Sequence, residues 1–194
     1  MSDVIYDIGD LHGEKGLMDR MEDRLMVLSR SIPANNPMVV TMGDYCDRGP
    51  ESRAVLERLL DDGFAGMDWT QMPGNHDVFL TRAYHMFKKG SPGWESWAND
   101  TFVGASNTIK SFGVKTVLPE RPSRDDLTRL MTSFTKNISP DIIQHIQTLP
   151  PLVSDGGIFF VHAGLNPESN ANEQSFDDCI NGVKGFFDDT MDFG

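Results

Sequence analysis

A few polar residues in this sequence have the types and spacing that metal chemistry requires. Asp10 and His12 stand two positions apart in a turn flanked by Gly9 and Gly13. Because glycine lets the backbone bend sharply, a carboxylate and an imidazole in such a turn can converge on one cation. The turn therefore predicts two metal ligands.

Three further turns offer comparable groups: Asp44 after Gly43, Asn75 after Gly74, and His162. This mixture of oxygen and nitrogen donors suits Mn²⁺, Fe or Zn²⁺ better than Ca²⁺ or a thiolate site. Five ligands are too many for one ordinary ion, so we predict two ions, which in such sites lie about 3.5–4 Å apart, share a bridging carboxylate and acidify bound water. The alternative is that these side chains only cap loops.

Three residues beside the predicted ligands have the chemistry to act on a phosphate. The planar, permanently charged guanidinium of Arg48 suits two-point capture of a phosphate group. His76 could protonate a departing alkoxide if a carboxylate such as Asp47 orients its ring. The plainer alternatives are a surface ion pair for Arg48 and a structural turn role for His76.

Each of these turns follows a short apolar run of the kind that forms a buried strand, at 4–8, 38–42, 69–72 and 158–161. Helical patterns lie between the runs. One is the stripe of Leu17, Met21, Leu25 and Leu28, and others cover 50–60, 77–89, the segment after Ser123 and the segment after Ser139. The alternation predicts an α/β domain whose ligands collect at the carboxyl ends of its strands. Residues 94–115 give no clear pattern.

The composition excludes several classes of protein. The 194 residues suit one domain, and 39% hydrophobic residues indicate a globular protein. A net charge of −12 disfavours nucleic-acid partners. No apolar run is long enough to span a membrane, and the first residues carry no secretory pattern. Since Cys46 and Cys179 cannot form a disulfide scaffold, we expect a reduced, cytoplasmic protein.

Three motifs together resemble a known family. Gly9-Asp10-Leu11-His12-Gly13, Gly43-Asp44-Tyr45-Cys46-Asp47-Arg48-Gly49 and Gly74-Asn75-His76-Asp77 are similar to the signatures of the phosphoprotein phosphatases, a family of metallophosphoesterases. Segment 94–113 and the run from Val161 to Pro167 resemble the bacterial and phage serine/threonine phosphatase branch. The resemblance extends over nearly all of residues 1–194 and treats them as one catalytic domain.

The resemblance implies a fold and a role for each matched residue. The family fold, a calcineurin-like metallophosphoesterase β-sandwich flanked by helices, holds two ions, usually manganese in bacterial members. Asp10 and His12 would bind the first ion, Asp44 would bridge, and Asn75 and His162 would bind the second. Arg48 would hold phosphate, and His76 with Asp47 would be the general acid. Metal-bound hydroxide would then attack phosphorus directly.

The sequence departs from the family pattern near its end. The family continues with further strands and a Gly-His-Thr turn that completes the second metal site, whereas segment 180–194 resembles only what precedes them. The second phosphate-binding arginine is also absent, since no arginine follows Arg129. We therefore expect a catalytic domain that is truncated relative to the family pattern and whose activity is impaired but not abolished.

Three functions remain open on these grounds. The first is a serine/threonine protein phosphatase acting on phosphoproteins or small phosphoesters. The second is a dinucleoside polyphosphate hydrolase, which shares the motifs. The third is a pseudophosphatase that binds phosphate or a partner without turnover. The sequence does not give the oligomeric state.

Overall fold

The computed structural model describes residues 4–183 except 33, 101, 116, 171 and 172. Residues 184–194 lie outside the described residues, and with them most of segment 180–194, which the sequence analysis compares with the family pattern. The strands of the described part are β1 (Val4–Ile8), β2 (Pro37–Thr41), β3 (Asp68–Gln71), β4 (Leu152–Asp155) and β5 (Ile158–Val161). The helices are α1 (Lys15–Ser31), α2 (Ser52–Arg58), α3 (Asn75–Lys88), α4 (Trp94–Ala98), α5 (Ala105–Ser111), α6 (Arg124–Asn137), α7 (Pro140–Thr148) and α8 (Phe176–Asn181).

The strands form two sheets that face each other. The first has the order β1-β2-β3 and is parallel throughout, with α1 and α2 in the crossovers that parallel pairing requires. The second is the antiparallel hairpin of β4 and β5. A small apolar cluster of Val40, Met72 and Phe160 joins the sheets. The predicted α/β class, with facing sheets flanked by helices, is confirmed, and β5 is the last strand among the described residues.

The larger core lies between the parallel sheet and the helices. Fully buried side chains from α1, α2, α5, α6 and α7 meet there, among them Met18, Leu56, Ile109, Phe134 and Ile142. Two of these helices begin with the caps that the sequence indicates. Ser123 Oγ accepts the backbone N–H of Asp126 while the Asp126 carboxylate accepts the N–H of Ser123, and Ser139 precedes Pro140 at the first position of α7.

The predicted apolar face of α1 is wrong for three of its four residues. Leu17, Met21 and Leu28 are exposed, whereas Met18 and Leu25 are buried. The side that packs on the core runs through Met18 and Leu25, with Glu22 between them in an ion pair with Arg58. Within the described ranges, no helix combines the length and the apolar character needed to cross a bilayer.

Other boundaries also differ from the sequence prediction. The second helix begins at Ser52 and not at Pro50. Segment 94–115, which gave no pattern, folds into the short helices α4 and α5. Strand β4 was not predicted, because the only signal is a short apolar pair after two prolines. Helix α8 was also missed, although Ser175 Oγ caps it by accepting the N–H of Asp178.

Candidate metal centre

The predicted site residues all lie at the carboxyl ends of strands, as expected for this topology. The loops after β1 and β2 are joined by backbone hydrogen bonds: His12 N–H donates to the Asp44 carbonyl (2.7 Å), and Gly49 N–H donates to the His12 carbonyl (2.9 Å). Asn75 is the first residue of α3, directly after β3, and His162 follows β5. Strand order in the parallel sheet therefore brings three of these segments to one edge, and packing of the β4–β5 hairpin on that sheet adds His162.

Left-handed backbone conformations are concentrated at this edge. Among the described residues, five that are not glycine have positive φ, and four of them are His12 (+39°), Asp44 (+50°), Asp47 (+68°) and Arg48 (+60°). Such conformations cost free energy and persist where surrounding contacts enforce them, most often at functional sites. Close approach adds a second constraint, because a Cβ on Gly74 would lie 2.1 Å from Asp44 Oδ1.

Asp44 is the central acidic group of the site. His12 Nε2 lies 3.6 Å from Asp44 Oδ2 and 3.5 Å from Asp10 Oδ2. His162 Nε2 lies 3.6 Å from Asp44 Oδ1 on the other side. Two groups of three potential ligands can be drawn within the described residues, and Asp44 belongs to both: one contains His12, Asp44 and His76, the other Asp10, Asp44 and His162.

Both ligand-type histidines turn Nε2 toward Asp44. His12 Nδ1 lies 2.9 Å from the Cys46 carbonyl, and His162 Nδ1 lies 2.8 Å from the Met42 carbonyl. A carbonyl only accepts, so Nδ1 carries a proton in each ring, and the neutral form of each ring has its Nε2 lone pair free for a metal ion. A backbone carbonyl fixing the second nitrogen is a recurrent feature of metal-binding histidines.

Two features show that this donor set fits a cation. His12 Nε2 is buried and has no hydrogen-bond partner among the described residues. The Asn75 side-chain oxygen lies 3.2 Å from His162 Nε2 and 3.2–3.3 Å from the Asp44 carboxylate oxygens, so lone pairs face lone pairs. A cation relieves both conflicts at once. Without one, the Asn75 amide is better satisfied when rotated so that its NH₂ donates to these atoms.

The predicted acid and phosphate-binding residues lie beside this cluster. His76 Nδ1 is 3.0 Å from Asp47 Oδ2, and His76 Nε2 is 3.4 Å from an Arg48 guanidinium nitrogen. The His76 backbone N–H donates to Asp44 Oδ1 (3.0 Å), which ties the dyad to the ligand cluster. Asp47 is fully buried, whereas Arg48 is exposed. The structure thus brings all eight predicted site residues together.

The local charges shift two pKa values. Burial alone would lower the pKa of His76, but the hydrogen bond to Asp47 and the negative charges of Asp44 and Asp47 outweigh burial, so this pKa is raised. Burial, reinforced by repulsion from Asp44, raises the pKa of Asp77 to about 7. The hydrogen bonds that its carboxylate accepts from the N–H groups of Gly74 and Tyr45 lower this pKa and offset only part of the rise. The raised pKa favours the protonated ring of His76 compared with an ordinary histidine.

Sequence reasoning missed three residues that support the site. Asp77, part of the third motif but given no role, accepts the N–H groups of Tyr45 (3.0 Å) and Gly74 (2.9 Å) and so connects two motifs. Trp97 and Thr108 donate to the Asp47 carboxylate. Both residues lie in segment 94–113, for which the sequence gives only a resemblance, and no spacing rule links that segment to Asp47.

Cys46 takes no part in this chemistry. It is fully buried, and burial, reinforced by the charges of Asp47 and Asp77, raises the pKa of its thiol well above the ordinary range. A thiol that stays protonated is a poor ligand and nucleophile. The interpretation of Cys46 as a packing residue agrees with this environment.

Fold and site together define a class of protein. The family model of calcineurin-like phosphoesterases matches residues 5–189, so the chain belongs to that family. The branch within it is not settled by this match, and the similarities to individual proteins differ in extent.

Among curated proteins, the chain is 27% identical over 164 residues to a symmetrical bis(5'-nucleosyl)-tetraphosphatase of Aromatoleum aromaticum, covering 84% of this chain and 45% of the relative. It is also 38% identical over 80 residues to serine/threonine-protein phosphatase 2 of Escherichia coli. That match covers 41% of this chain and 32% of the relative. The chain thus spans about half the length of the tetraphosphatases it matches. A metallophosphoesterase structure from Sphaerobacter thermophilus aligns with a TM-score of 0.40 at 17% identity, covering 85% of this chain and 47% of that one.

Proposed function

We propose that this chain is a metal-dependent hydrolase of phosphate esters or anhydrides. One observation carries the proposal: His12 Nε2 is buried, faces two carboxylates and has no hydrogen-bond partner among the described residues. In a metal-free protein this arrangement is costly, since an unpaired buried polar atom costs about 1–3 kcal/mol. Family membership supplies the reaction class.

Five residues are the proposed ligands: Asp10, His12, Asp44, Asn75 and His162. Asp44 is the proposed bridge between two ions because its Oδ2 lies 3.6 Å from His12 Nε2 on one side and its Oδ1 lies 3.6 Å from His162 Nε2 on the other. Divalent ions held there, with manganese the first choice and iron or zinc the alternatives, would neutralise phosphate charge and make water more acidic.

The chain's own residues account for the remaining requirements of phosphate hydrolysis. Arg48, exposed beside His76, is the proposed binding group for the phosphate oxygens. His76, held by Asp47, is the proposed general acid. As a water oxygen bonds to phosphorus and the bond to the leaving oxygen breaks, that oxygen takes the proton from His76 Nε2. Burial of Asp47 keeps competing water away from the dyad.

Two substrate classes are supported by different observations. Similarity to symmetrical tetraphosphatases extends over 84–88% of the chain, which favours a dinucleoside polyphosphate. The higher local identity to a serine/threonine phosphatase covers 41% of the chain and supports a phosphoprotein of the bacterial or phage branch. Because the broader match includes more of the elements that surround the site, the dinucleoside polyphosphate is the first choice.

The experiment first measures ion binding by calorimetry with Mn²⁺, and then turnover of p-nitrophenyl phosphate. Two ions bound and turnover that His76→Gln abolishes would support the proposal, whereas one ion or none without turnover would support a non-catalytic binding module. Diadenosine tetraphosphate and a phosphoserine peptide then separate the substrate classes. The first would release ADP and the second inorganic phosphate. A clear preference for the peptide would reverse the order of substrates proposed here.

A further inference from the structure

The Asp47 carboxylate is held from two helices that lie outside all three motifs. Thr108 Oγ1, in α5, donates to Asp47 Oδ1 at 2.6 Å, and Trp97 Nε1, in α4, donates to Asp47 Oδ2 at 3.2 Å. The same Oδ2 lies 3.0 Å from His76 Nδ1. Asp47, Trp97, Thr108 and His76 are all buried. Each carboxylate oxygen therefore has a neutral donor, and the one facing His76 is shared.

Helix α5 also holds the backbone at Asp47 and Arg48. Thr108 Oγ1 accepts the Asp47 N–H at 2.8 Å, and Asn107 Nδ2 donates to the Arg48 carbonyl at 2.5 Å. These contacts fix two consecutive residues in left-handed conformations, which are unfavourable for side chains of their size. Helix α5 therefore sets both the position of Asp47 and the direction of its carboxylate.

We propose that Trp97 and Thr108 are positioning residues that hold Asp47 so that His76 delivers its proton to the leaving oxygen. This inference rests on the proposed function. It also gives a role to the run from Gly104 to Thr108. When the donor of Trp97 or Thr108 is removed, the buried Asp47 carboxylate rotates toward its remaining donors. The His76 ring moves with it because His76 Nδ1 is bound to that carboxylate. A displacement of about 1 Å is enough to cost a positioned catalytic group much of its effect.

The chemistry of the leaving group separates this role from a merely structural one. A poor leaving group such as phenoxide needs a proton as it departs, whereas 2,4-dinitrophenoxide departs without one. A displaced general acid therefore slows phenyl phosphate much more than 2,4-dinitrophenyl phosphate. A distorted site would slow both esters alike.

The test uses Trp97→Phe and Thr108→Val, which remove the donors while preserving shape. We expect kcat for phenyl phosphate with Mn²⁺ to fall about 10- to 100-fold, and kcat for 2,4-dinitrophenyl phosphate to fall less than about 3-fold. Thr108→Ser, which retains the hydroxyl, should restore most of the loss. Equal losses on the two esters in both variants would overturn the inference.

Two matched controls carry the same chemical changes away from Asp47. Trp94→Phe alters a buried tryptophan that packs edge-on against Phe87, and Thr81→Val removes a buried hydroxyl that donates to the Val78 carbonyl. Neither should alter the ratio of the two rates. Thermal melting of every variant confirms that it folds.

A second readout does not depend on turnover. In the metal-free protein, the His76 Nδ1 proton should give a low-field NMR resonance, which His76→Gln identifies by its loss. The resonance should shift or broaden in Trp97→Phe and Thr108→Val but not in the controls. An unchanged resonance in both variants would overturn the positioning role. Failure of the wild-type protein to cleave the two esters, diadenosine tetraphosphate and a phosphoserine peptide would instead overturn the proposed function.

Discussion

At the scale of single residues, Asp44 lies at the centre of the candidate site. Its carboxylate is buried, accepts the His76 N–H, and lies near the Asn75 oxygen and the Nε2 atoms of His12 and His162. Its repulsion adds to the burial that raises the pKa of Asp77. Burial and the neighbouring oxygen atoms disfavour the Asp44 carboxylate in the metal-free fold, and bound cations would favour it.

Replacement of Asp44 by asparagine should therefore have opposite effects on stability and on metal binding. We expect Asp44→Asn to melt about 2–4 °C higher than the wild-type protein in EDTA, the shift that about 1 kcal/mol produces in a chain of this size. Its affinity for Mn²⁺ should fall at least about 10-fold, since even changes around ligands cost 10- to 100-fold. Scanning calorimetry and titration calorimetry measure the two effects.

Asp10→Asn is the matched comparison. Asp10 is about half exposed and belongs to one ligand group only. Its replacement should weaken one ion and change the metal-free melting temperature little. If Asp10→Asn and Asp44→Asn weakened binding to the same extent, with equal stoichiometry, the bridging role of Asp44 would be wrong.

The candidate ligands could be predicted from sequence, whereas their supports could not. A carboxylate or imidazole beside glycine at the end of an apolar run is a local signal, and Asp10, His12 and Asp44 each carry it. Trp97 and Thr108 contact Asp47 across 50 and 61 positions of sequence. Their partnership depends on how α4 and α5 pack, which no local pattern specifies.

At the scale of elements, α5 approaches the loop after β2 so closely that glycine is required at its start. A Cβ on Gly104 would lie 2.6 Å from the Arg48 backbone nitrogen, and Gly104 has φ of +83°. Gly113 has a similar φ of +78°, but a Cβ there would meet nothing within 4 Å. The two glycines therefore separate the cost of a left-handed conformation from the cost of a clash.

We expect Gly113→Ala to cost about 1–2 kcal/mol of stability, the price of the left-handed conformation, and to leave kcat unchanged. Gly104→Ala should cost more, because the Arg48 backbone must also move, and its kcat for p-nitrophenyl phosphate should fall at least about 10-fold. Urea unfolding and steady-state kinetics measure these changes. Equal stability losses in the two variants would show that the close approach to Arg48 does not constrain the site.

Helix α7 adds a polar contact to its apolar packing on the core. His145 Nε2 lies 2.6 Å from Gln71 Oε1, and Gln71 Nε2 donates to the Leu59 carbonyl at 3.0 Å. Burial lowers the pKa of His145. As the pH falls, His145 therefore takes up a proton in the unfolded chain before it does so in the folded protein. Because protonation then favours the unfolded chain, the contribution of His145 lowers the free energy of unfolding as the pH drops below about 6.5.

We expect His145→Gln to reduce the acid sensitivity of the metal-free protein. Between about pH 7.5 and pH 5.5, the melting temperature of the wild-type protein in EDTA should drop further than that of the variant. Work in EDTA removes the contribution of metal binding, and subtraction of the two profiles cancels histidines common to both proteins. Parallel profiles would mean that His145 has an ordinary pKa in the fold.

Helix prediction succeeded where caps are local and failed where burial depends on neighbours. Ser123 and Ser139 mark the starts of α6 and α7 because their hydroxyls accept N–H groups two or three positions ahead. In α1 the apolar stripe of Leu17, Met21 and Leu28 is exposed, and the buried side contains Met18 and Leu25 together with Glu22. The packing of α1 against the core, and not the apolar pattern, decides which side is buried.

At the scale of the whole molecule, the candidate metal centre spans both sheets. Asp10 and Asp44 follow strands of the parallel sheet, whereas His162 follows β5 of the hairpin. Among the residues that the structure describes, a small apolar cluster of three buried residues, with partly buried neighbours around it, also joins the sheets. The hairpin is therefore held less firmly than the helices around the larger core, and bound ions would add a second link to the parallel sheet.

Metal binding should accordingly protect the hairpin more than the rest of the fold. If opening of the hairpin releases an ion, Mn²⁺ at 100 times its Kd slows exchange of the β4 and β5 amides by up to about 100-fold, or about 2.7 kcal/mol. Amides in α6 and α7 open without disturbing His162, so their protection should change much less. Hydrogen exchange read by mass spectrometry, with Asp44→Asn as the variant unable to bind, measures both regions. Uniform protection across hairpin and helices would mean that the ions stabilise the domain as one cooperative unit, and no protection in the hairpin would mean that His162 is not a ligand.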